Sequence, residues 1–233
     1  MPVALVTGAS RGLGRATARA LADRGWSLVV DARRDAELAD ATRELPRVVA
    51  ISGDITNPDH RADLVAAVER LGQLDVLINN ASSLGRSPLP PLRVYPLADL
   101  RRVYETNVLA PLALIQLLAT TLERAGGTII NVSSDAAVEA YPGWGGYGSS
   151  KAALDQLTAV LAAEERELRC YAFDPGDMRT DMHQAAFPGE DISDRPEPES
   201  VVPALLRLID ERPPSGRYRA ADLAVASPAE VNS

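Results

Sequence analysis

The segment YGSSK, residues 147–151, combines a tyrosine with the only lysine in the chain. All other cations among the 24 lysine and arginine residues are arginines. If this segment is helical, Tyr147 and Lys151 share one face, because they are four residues apart. An ammonium next to a phenol lowers the pKa of the phenol, which can then act as a general acid or base. Coding bias that left one stray lysine is the alternative, but a compact, flexible ammonium suits this task better than a rigid guanidinium.

The second stretch that predicts chemistry is TGASRGLG, residues 7–14, which lies between an apolar run and an amphipathic segment. Its glycines, Gly8, Gly12 and Gly14, allow a tight turn and a close approach of the backbone to a pyrophosphate. The helix that follows presents its free amides and the positive end of its dipole to such an anion. A plain tight turn is the alternative. Because the glycines lie between a strand and a helix, we favour a dinucleotide site.

Short apolar runs and longer amphipathic segments alternate along the chain. The runs rich in valine and isoleucine predict strands at 3–8, 27–32, 47–52, 74–80, 127–134, 168–173 and 216–223. The amphipathic segments predict helices at 12–24, 35–45, 58–71, 97–124, 148–166 and 200–211. This alternation is typical of an α/β fold, with one doubly wound domain over residues 1–233, about seven parallel strands and helices on both faces.

Two loops rich in proline and glycine interrupt this pattern, at 82–96 and 176–200. Both follow strands, so they lie at the carboxyl edge of the sheet, where open α/β sheets bind their ligands. We therefore expect both loops to border a substrate site. The acidic second loop is either a mobile lid or a solvated surface loop.

The composition argues against several other classes of protein. A formal net charge of −8 gives no general footprint for nucleic acid or anionic membranes. No apolar run reaches the roughly 18 residues of a membrane span, and the first residues lack the pattern of a signal peptide. Cys170 is the only cysteine, and the two histidines, His60 and His183, lack the spacing of metal ligands. We expect a cytoplasmic protein without metal, nucleic-acid or membrane partners.

Together, TGxxxGxG near the amino terminus and YxxxK farther along resemble the short-chain dehydrogenase/reductase family, and the resemblance covers nearly the whole chain. It implies a Rossmann-type domain and a catalytic set of Asn107, Ser134, Tyr147 and Lys151. Ser134 lies thirteen residues before Tyr147, where the family has its serine, and Ser133 is the neighbour that could be confused with it. In this interpretation Tyr147 exchanges a proton with the substrate and Ser134 hydrogen-bonds the substrate oxygen. Asn107 would hold a water next to Lys151.

The same resemblance implies a nicotinamide dinucleotide and the residues that bind it. Asp54 would hydrogen-bond the adenine, and Thr180 would contact the nicotinamide. Two positions depart from the family pattern: Ser82 replaces the last glycine of Asn-Asn-Ala-Gly, and Asp174 replaces a more common asparagine. The full set expected to bind the cofactor is Gly8, Ser10, Arg11, Gly12, Leu13, Gly14, Ala32, Arg33, Asp54, Ile55, Asn80, Ala81, Tyr147, Lys151, Pro175, Gly176, Met178 and Thr180.

The end of the second predicted strand favours NADP(H) over NAD(H). The acid that would bind a ribose 2′-hydroxyl is missing, because its position in the family is Ala32. Arg11 and Arg33 suit a 2′-phosphate instead. Asp31, one residue early, should face the other side of the strand and would weaken the preference by repelling the phosphate. Solvated surface charges are the alternative interpretation of the arginines.

The sequence leaves the identity of the small-molecule substrate open. Tyr141, Trp144 and Met182 predict an apolar wall next to Ser134, although loop packing unrelated to a substrate is equally compatible. We interpret the chain as an NADP(H)-dependent oxidoreductase that interconverts a carbonyl and a secondary alcohol by hydride transfer. Reduction of an activated C=C or C=N bond, or a non-catalytic dinucleotide sensor or partner protein, are the alternatives. The resemblance also implies a homodimer or homotetramer formed through helices 97–124 and 148–166.

Overall fold

The computed structural model describes residues 1–224, which form one parallel sheet of seven strands with helices on both faces. This confirms the predicted α/β fold class, whereas residues 225–233 of the predicted domain lie outside the described residues. The strands are β1 (Val3–Val6), β2 (Ser27–Ala32), β3 (Val48–Ser52), β4 (Val76–Asn79), β5 (Thr128–Val132), β6 (Arg169–Asp174) and β7 (Gly216–Arg219).

The order of the strands creates a crevice at one edge of the sheet. The order is β3-β2-β1-β4-β5-β6-β7, with every neighbouring pair parallel. The chain winds outward from β1 to β3, then crosses back and continues from β4 to β7 on the other side of β1. The direction of winding therefore reverses between β1 and β4. The loops that follow these two strands diverge and leave room for a ligand at their carboxyl ends.

The helices occupy the segments between the strands, as the amphipathic pattern predicts. The clearest start signal is that of the third helix, where Pro58 fills the first turn and the Asn57 side chain accepts a hydrogen bond from the Asp59 amide at 3.0 Å. The helices are α1 (Gly12–Asp23), α2 (Asp35–Thr42), α3 (Pro58–Leu71), α4 (Leu97–Tyr104), α5 (Ala110–Ala125), α6 (Gly145–Glu164), α7 (Asp181–Ala186), α8 (Val202–Glu211) and α9 (Ala220–Ala224).

Two predicted elements have different bounds in the structure. The predicted strand 216–223 ends at Arg219, because the alanine-rich segment AADLA that follows favours a helix and forms α9. The predicted helix 97–124 is divided by a π-helical turn at Glu105–Leu109. π-Helical turns are rare in proteins, but those that occur often lie at functional sites, and this one contains Asn107.

Two further differences concern the segments around the predicted site. Helix α6 begins at Gly145 rather than at residue 148, so Tyr147 lies inside the helix and not just before it. The predicted loop 176–200 contains helix α7, whose first turn is capped by the Thr180 side chain, which accepts a hydrogen bond from the His183 amide at 3.2 Å. The second loop is therefore partly helical.

Two apolar layers hold the helices against the sheet. On one face Leu21 of α1 and Leu205 of α8 are fully buried, and on the other face Leu64 of α3 and Leu114 of α5 are fully buried. Each such leucine contributes roughly 1.5–3 kcal/mol relative to an exposed position. Because both faces are covered, the sheet is a rigid platform and its carboxyl edge carries the ligand site.

The helical run Leu97–Ala125 is long and apolar enough, by length and composition, to cross a membrane, with a mean hydropathy of 1.3. In this fold, however, Leu114, Leu118 and Leu122 are fully buried against the sheet. We therefore assign the run to the core of the domain.

Candidate active site

A cleft of about 840 Å³ opens at the carboxyl edge of the sheet, where the strand order reverses. The segments that follow β1 to β6 line it, together with the first residues of α6 and α7. Of the residues predicted to bind the cofactor, all except Gly14 line this cleft: Gly8, Ser10, Arg11, Gly12, Leu13, Ala32, Arg33, Asp54, Ile55, Asn80, Ala81, Tyr147, Lys151, Pro175, Gly176, Met178 and Thr180.

The glycine loop after β1 has the shape that a pyrophosphate requires. Gly8 and Gly12 have φ angles of +69° and +55°, which residues with a side chain rarely adopt. Gly14 lies beneath the loop, and a Cβ there would come within 2.3 Å of the Gly8 carbonyl oxygen. Gly14 therefore allows α1 to pack closely against the loop and does not itself face the cleft. The amides at the start of α1 face the cleft, so the loop fits a bound dinucleotide.

Hydrogen bonds fasten the glycine loop to the end of β4. The Thr7 hydroxyl oxygen accepts from the amides of Asn80 and Ala81 at 3.0 and 2.9 Å. In return the Asn80 side-chain amide donates to the carbonyl oxygens of Thr7 and Gly8, at 2.8 and 3.2 Å. The Asn-Asn-Ala segment thus fixes both walls of the crevice relative to each other.

Asp31 has a structural partner on each oxygen. Its Oδ1 accepts from the Gly8 amide at 2.8 Å, and its Oδ2 lies 3.0 Å from His60 Nε2. Both side chains are buried, at 2% and 5% exposure. The carboxylate therefore supports the glycine loop, and it also lines the cleft. Its expected repulsion of a 2′-phosphate stays a prediction.

The three arginines near the end of β2 and in the glycine loop differ in their partners. Arg11 Nη1 forms an ion pair with Asp181 Oδ2 of α7 at 2.8 Å, which links the glycine loop to the segment 176–200. Arg34 pairs with Glu37. Arg33 is exposed, lines the cleft, and forms no ion pair within residues 1–224. Of these three arginines, Arg33 is thus the one most available to an anionic ligand.

Tyr147 and Lys151 lie on one face of α6, as their spacing predicts, and both line the cleft. Burial raises the pKa of Tyr147 well above its ordinary value, while the hydroxyls of Ser82 and Ser134 lower it. The lowering expected from the Lys151 ammonium opposes this effect of burial and stays a prediction. At neutral pH the phenol with a raised pKa is protonated, so it carries the proton that a reduction requires.

Lys151 is 2% exposed, and its Nζ lies 5.5 Å from the centroid of the Tyr147 ring. Nζ donates to the Val132 carbonyl oxygen at 2.7 Å. Burial lowers the pKa of Lys151 to about 8, and the nearby Asp155 carboxylate opposes this effect. An arginine would bring five donors into this enclosed position, so the geometry accounts for the one lysine of the chain.

Ser133 and Ser134 take different directions at the end of β5. The Ser134 hydroxyl lies next to Tyr147, whose pKa it lowers, and donates to Asp135 Oδ1 at 2.9 Å. Ser133 is 2% exposed and its hydroxyl lowers the pKa of Asp155. Its hydroxyl and Asp155 Oδ1 nevertheless lack a well-aligned hydrogen bond within residues 1–224. The structure therefore brings Ser134 to the phenol, and Ser133 to the cluster behind it.

Asn107 lies behind the cleft rather than on its wall, and it is 1% exposed. Its Nδ2 donates to the Ser150 hydroxyl and the Ser83 carbonyl, both at 2.9 Å. Its Oδ1 accepts from the Ser83 amide at 2.8 Å and from the Ser82 hydroxyl at 3.2 Å. These four bonds fill the capacity of a side-chain amide. The Asn107 side chain therefore fastens the loop 82–96 to α6, and the expectation that Asn107 holds a water next to Lys151 stays a prediction.

Ser82 is a site residue that the sequence reasoning did not include. Its hydroxyl lies near Tyr147 and lowers the pKa of that phenol, and it also donates to Asn107. The signal was present in the sequence as the departure from the family's glycine at this position. The substitution therefore adds a second hydroxyl beside the phenol.

Aromatic side chains form one wall of the cleft next to Tyr147. The Trp144 ring lies 5.8 Å from the rings of both Tyr147 and Phe187, and Phe187 packs on His183 at 4.9 Å. Trp144, Met182 and Ser134 line the cleft as predicted. Tyr141 does not: it is 43% exposed, and its hydroxyl donates to Asp135 Oδ2 at 3.0 Å.

His183 is a second residue of the wall that the sequence reasoning missed. It is 9% exposed and lines the cleft, and its Nε2 has no hydrogen-bond partner within residues 1–224. No spacing in the sequence indicates its position. The prediction therefore placed it in an irregular loop, whereas it lies on α7.

The family model for short chain dehydrogenases matches residues 2–191. The chain belongs to the short-chain dehydrogenase family. Among its relatives is sepiapterin reductase of Mus musculus, 35% identical over 201 residues, which are 79% of this chain and 77% of that protein. The fold, the glycine loop and the Tyr147–Lys151 pair thus belong to a family of oxidoreductases, which confirms the resemblance.

Solved structures of short-chain dehydrogenases share the fold closely. One from Pseudomonas syringae is 35% identical, with a TM-score of 0.88 and 94% of each chain covered. One from Shigella flexneri, solved in complex with NADP, is 27% identical, with a TM-score of 0.85 and coverage of 94% of this chain and 97% of that one.

Proposed function

We propose that this short-chain dehydrogenase is an NADP(H)-dependent oxidoreductase that interconverts a carbonyl and a secondary alcohol. The observation that carries the proposal is that Tyr147, Ser134 and Lys151 line the same cleft as the glycine loop. Bound NADPH would supply the hydride. The NADP complex of the Shigella flexneri neighbour supports this choice of cofactor.

Tyr147 supplies the proton in the direction of reduction. When a carbonyl carbon accepts a hydride, its oxygen gains a negative charge and takes the proton from the Tyr147 hydroxyl. The phenolate that remains lies beside the Lys151 ammonium and near the hydroxyls of Ser82 and Ser134, which lower the pKa of this group. Solvent then returns a proton to the phenolate. In the direction of oxidation the same groups act as the base.

Ser134 orients the substrate oxygen by hydrogen bonding. Its hydroxyl now donates to Asp135, so it must redirect its proton toward the substrate when one binds. A donor that points at a developing oxyanion stabilises the transition state more than the substrate. Ser134 is therefore proposed to act on turnover rather than on affinity.

Trp144 and Met182 line the cleft, and Phe187 packs behind Trp144; this wall favours a substrate with an apolar, ring-containing body. His183 Nε2 is the buried polar atom of that wall. We propose an apolar ketone as the substrate class. The exact compound is a matter for screening.

A panel of ketones, aldehydes, activated alkenes and imines, each incubated with NADPH and followed by product analysis, tests this proposal. We expect secondary alcohols from ketones. Saturated products from the alkenes or amines from the imines would favour the alternative reactions. Tight NADPH binding without turnover of any compound would favour a dinucleotide sensor.

The guanidinium of Arg33, which forms no ion pair with any described residue, predicts a preference for NADPH. A charge-assisted hydrogen bond to a phosphate contributes ~1.5–3 kcal/mol. We therefore expect Arg33→Leu to lower kcat/KM for NADPH by about 10- to 100-fold, at ~1.4 kcal/mol per factor of ten, with little change for NADH. Steady-state kinetics with both cofactors measure the effect, which should shrink as salt screens the phosphate site.

Arg34→Leu is the matched control for this prediction, because Arg34 is the adjacent residue and already pairs with Glu37. Equal losses in the two variants would mean that the arginines act as general surface charge. A protein that uses NADH as well as NADPH would contradict the choice of cofactor.

We also propose a homodimer or homotetramer that covers the exposed apolar side chains of α5 and α6. Leu117 is 53% exposed on α5 and Val160 is 40% exposed on α6. Light scattering should give the mass of an oligomer, and Leu117→Asp should reduce it toward that of one chain, because an interface core excludes charges. Val138→Asp, at an equally exposed position outside these helices, should leave the mass unchanged. A monomeric unmodified protein would rule out the oligomer.

A further inference from the structure

Arg217 of β7 lies behind the proposed catalytic residues and joins several segments of the fold. Its Nε donates to Asp155 Oδ2 of α6 at 3.0 Å. Its Nη2 donates to Asp174 Oδ2 at the end of β6 and to the carbonyl oxygen of Ser134, each at 2.9 Å. The side chains of Asp155 and Asp174 are 15% and 3% exposed, so these are largely desolvated, charge-assisted hydrogen bonds.

Asp155 continues the functional face of α6. It follows Lys151 by four residues, as Lys151 follows Tyr147, so the three side chains lie on one side of the helix. Burial raises the pKa of Asp155, whereas Ser133, Arg217 and Lys151 lower it. In turn, Asp155 raises the pKa of Lys151 against the effect of burial. Asp155 and Lys151 therefore stabilise each other's charged forms.

Asp174, at the position where the family more often has asparagine, has a defined role in this cluster. Its Oδ2 accepts from Arg217, and its Oδ1 accepts from the Gly176 amide at 3.0 Å. Gly176 belongs to the segment that lines the cleft after β6. The carboxylate thus links Arg217 to the loop proposed to contact the cofactor, and its charge gives the guanidinium a second ion pair.

The charges around Lys151 come from four parts of the fold and nearly balance. The titratable or charged side chains that face it or its neighbours are Tyr147 and Asp155 of α6, Asp135 after β5, Asp174 of β6 and Arg217 of β7. Asp135 and Asp174 act on Tyr147, and Asp155 acts on Lys151. Replacing one carboxylate at a time therefore separates their effects.

We propose that Asp155 and Arg217 are positioning residues, with Asp155 holding Lys151 in its charged form and Arg217 fixing Asp155 and the Ser134 backbone. This inference rests on the proposed function, because it assumes that the ammonium of Lys151 takes part in the reaction. It adds to that function a buried charge network that links β7 to the proton donor through Asp155 and Lys151.

The one lysine of the chain makes a direct test possible. Protein labelled with isotopic lysine gives a side-chain NMR signal from Lys151 alone, and its titration midpoint can be read without substrate or cofactor. In Asp155→Asn the midpoint should fall by roughly one unit, at the lower end of what an opposite charge within ~4–6 Å supplies. In the matched control Asp174→Asn the midpoint should stay close to that of the unmodified protein.

The pH dependence of turnover gives the second readout. Loss of Asp155 lowers the pH at which Lys151 loses its proton, so the alkaline fall of kcat should move to lower pH by the same amount as the NMR midpoint. Asp155→Glu keeps the charge, so its alkaline fall of kcat should lie close to that of the unmodified protein. Asp174→Asn should instead raise KM for NADPH, because it removes the ion pair that joins Arg217 to the segment at Gly176, without moving the alkaline fall of kcat.

An unchanged Lys151 midpoint in Asp155→Asn, or an equal fall in Asp174→Asn, would overturn the proposal. If Asp155→Asn does not fold, the double variant Asp155→Asn/Arg217→Gln removes both partners of one ion pair, and the midpoint should still fall. If the Lys151 midpoint falls as expected in Asp155→Asn but the unmodified protein turns over no carbonyl, the link between Asp155 and Lys151 is supported and only the proposed function is overturned.

Discussion

Replacing Tyr147 by phenylalanine is expected to lower kcat by roughly 10²–10⁴, which is the usual contribution of a general acid. The variant keeps the ring that packs against Trp144 and removes only the hydroxyl that donates the proton. Because the buried ring keeps its packing, the substitution should leave the fold and the affinity for NADPH nearly unchanged. Steady-state kcat and the Kd for NADPH measure the two effects separately.

Tyr141→Phe is the control for this variant. It removes a phenol hydroxyl from the same region, but that hydroxyl bonds to Asp135 and does not line the cleft. Its effect on kcat should be much smaller. A Tyr147→Phe variant with near-normal turnover, or equal losses in both variants, would show that another group donates the proton.

Replacing Ser134 by alanine is expected to cost ~2.7–4 kcal/mol of transition-state stabilisation, or about 10²–10³ in kcat, if the serine acts like a donor of an oxyanion hole. The loss should appear in kcat more than in KM, because the hydrogen bond strengthens as charge develops on the substrate oxygen. Single-turnover and steady-state kinetics on one ketone measure it.

Ser133→Ala is the matched control, since the two serines are adjacent and only one faces the phenol. Ser133 lies against Asp155, so its loss should change kcat little and act mainly through the cluster behind Lys151. If Ser133→Ala reduces turnover more than Ser134→Ala, then the assignment of the two serines is reversed.

The parts of the site that the sequence predicted are those set by short-range geometry. The glycine loop follows from three glycines between one strand and one helix, and the Tyr147–Lys151 face follows from a spacing of four residues on α6. Such patterns depend on a few adjacent residues, and they leave little freedom for the side chains. The alternation of apolar runs predicted the seven strands for the same reason.

The parts that the sequence did not predict depend on contacts between distant residues. Asp31 meets His60 across 29 positions, Arg11 meets Asp181 across 170, and Arg217 meets the Ser134 carbonyl across 83. Each contact gives its residue a role that the sequence does not indicate: Asp31 binds the glycine loop and His60, Arg11 pairs with Asp181, and Arg217 supports the site. Spacing along the chain carries no information on such pairs, because they form only when the sheet brings the ends of its strands together.

Local irregularities were missed for a different reason. The π-helical turn at Glu105–Leu109 preserves the apolar pattern of a helix, so the run 97–124 reads as continuous. Helix α7 is only six residues long and lies in a segment rich in charge, where periodicity is too short to detect. Both irregularities place side chains, Asn107 and His183, next to the cleft.

Transfer of deuterium from NADPH labelled at the reactive C4 position to a ketone substrate tests the proposed reaction most directly. With the unmodified protein, mass spectrometry of the alcohol product should show one deuterium on its carbinol carbon. With Tyr147→Phe, the amount of this labelled alcohol should be much smaller. An unlabelled alcohol, or no product from any ketone, would contradict carbonyl reduction by direct hydride transfer, as would an enone substrate that gives only a saturated ketone with the label on its β-carbon.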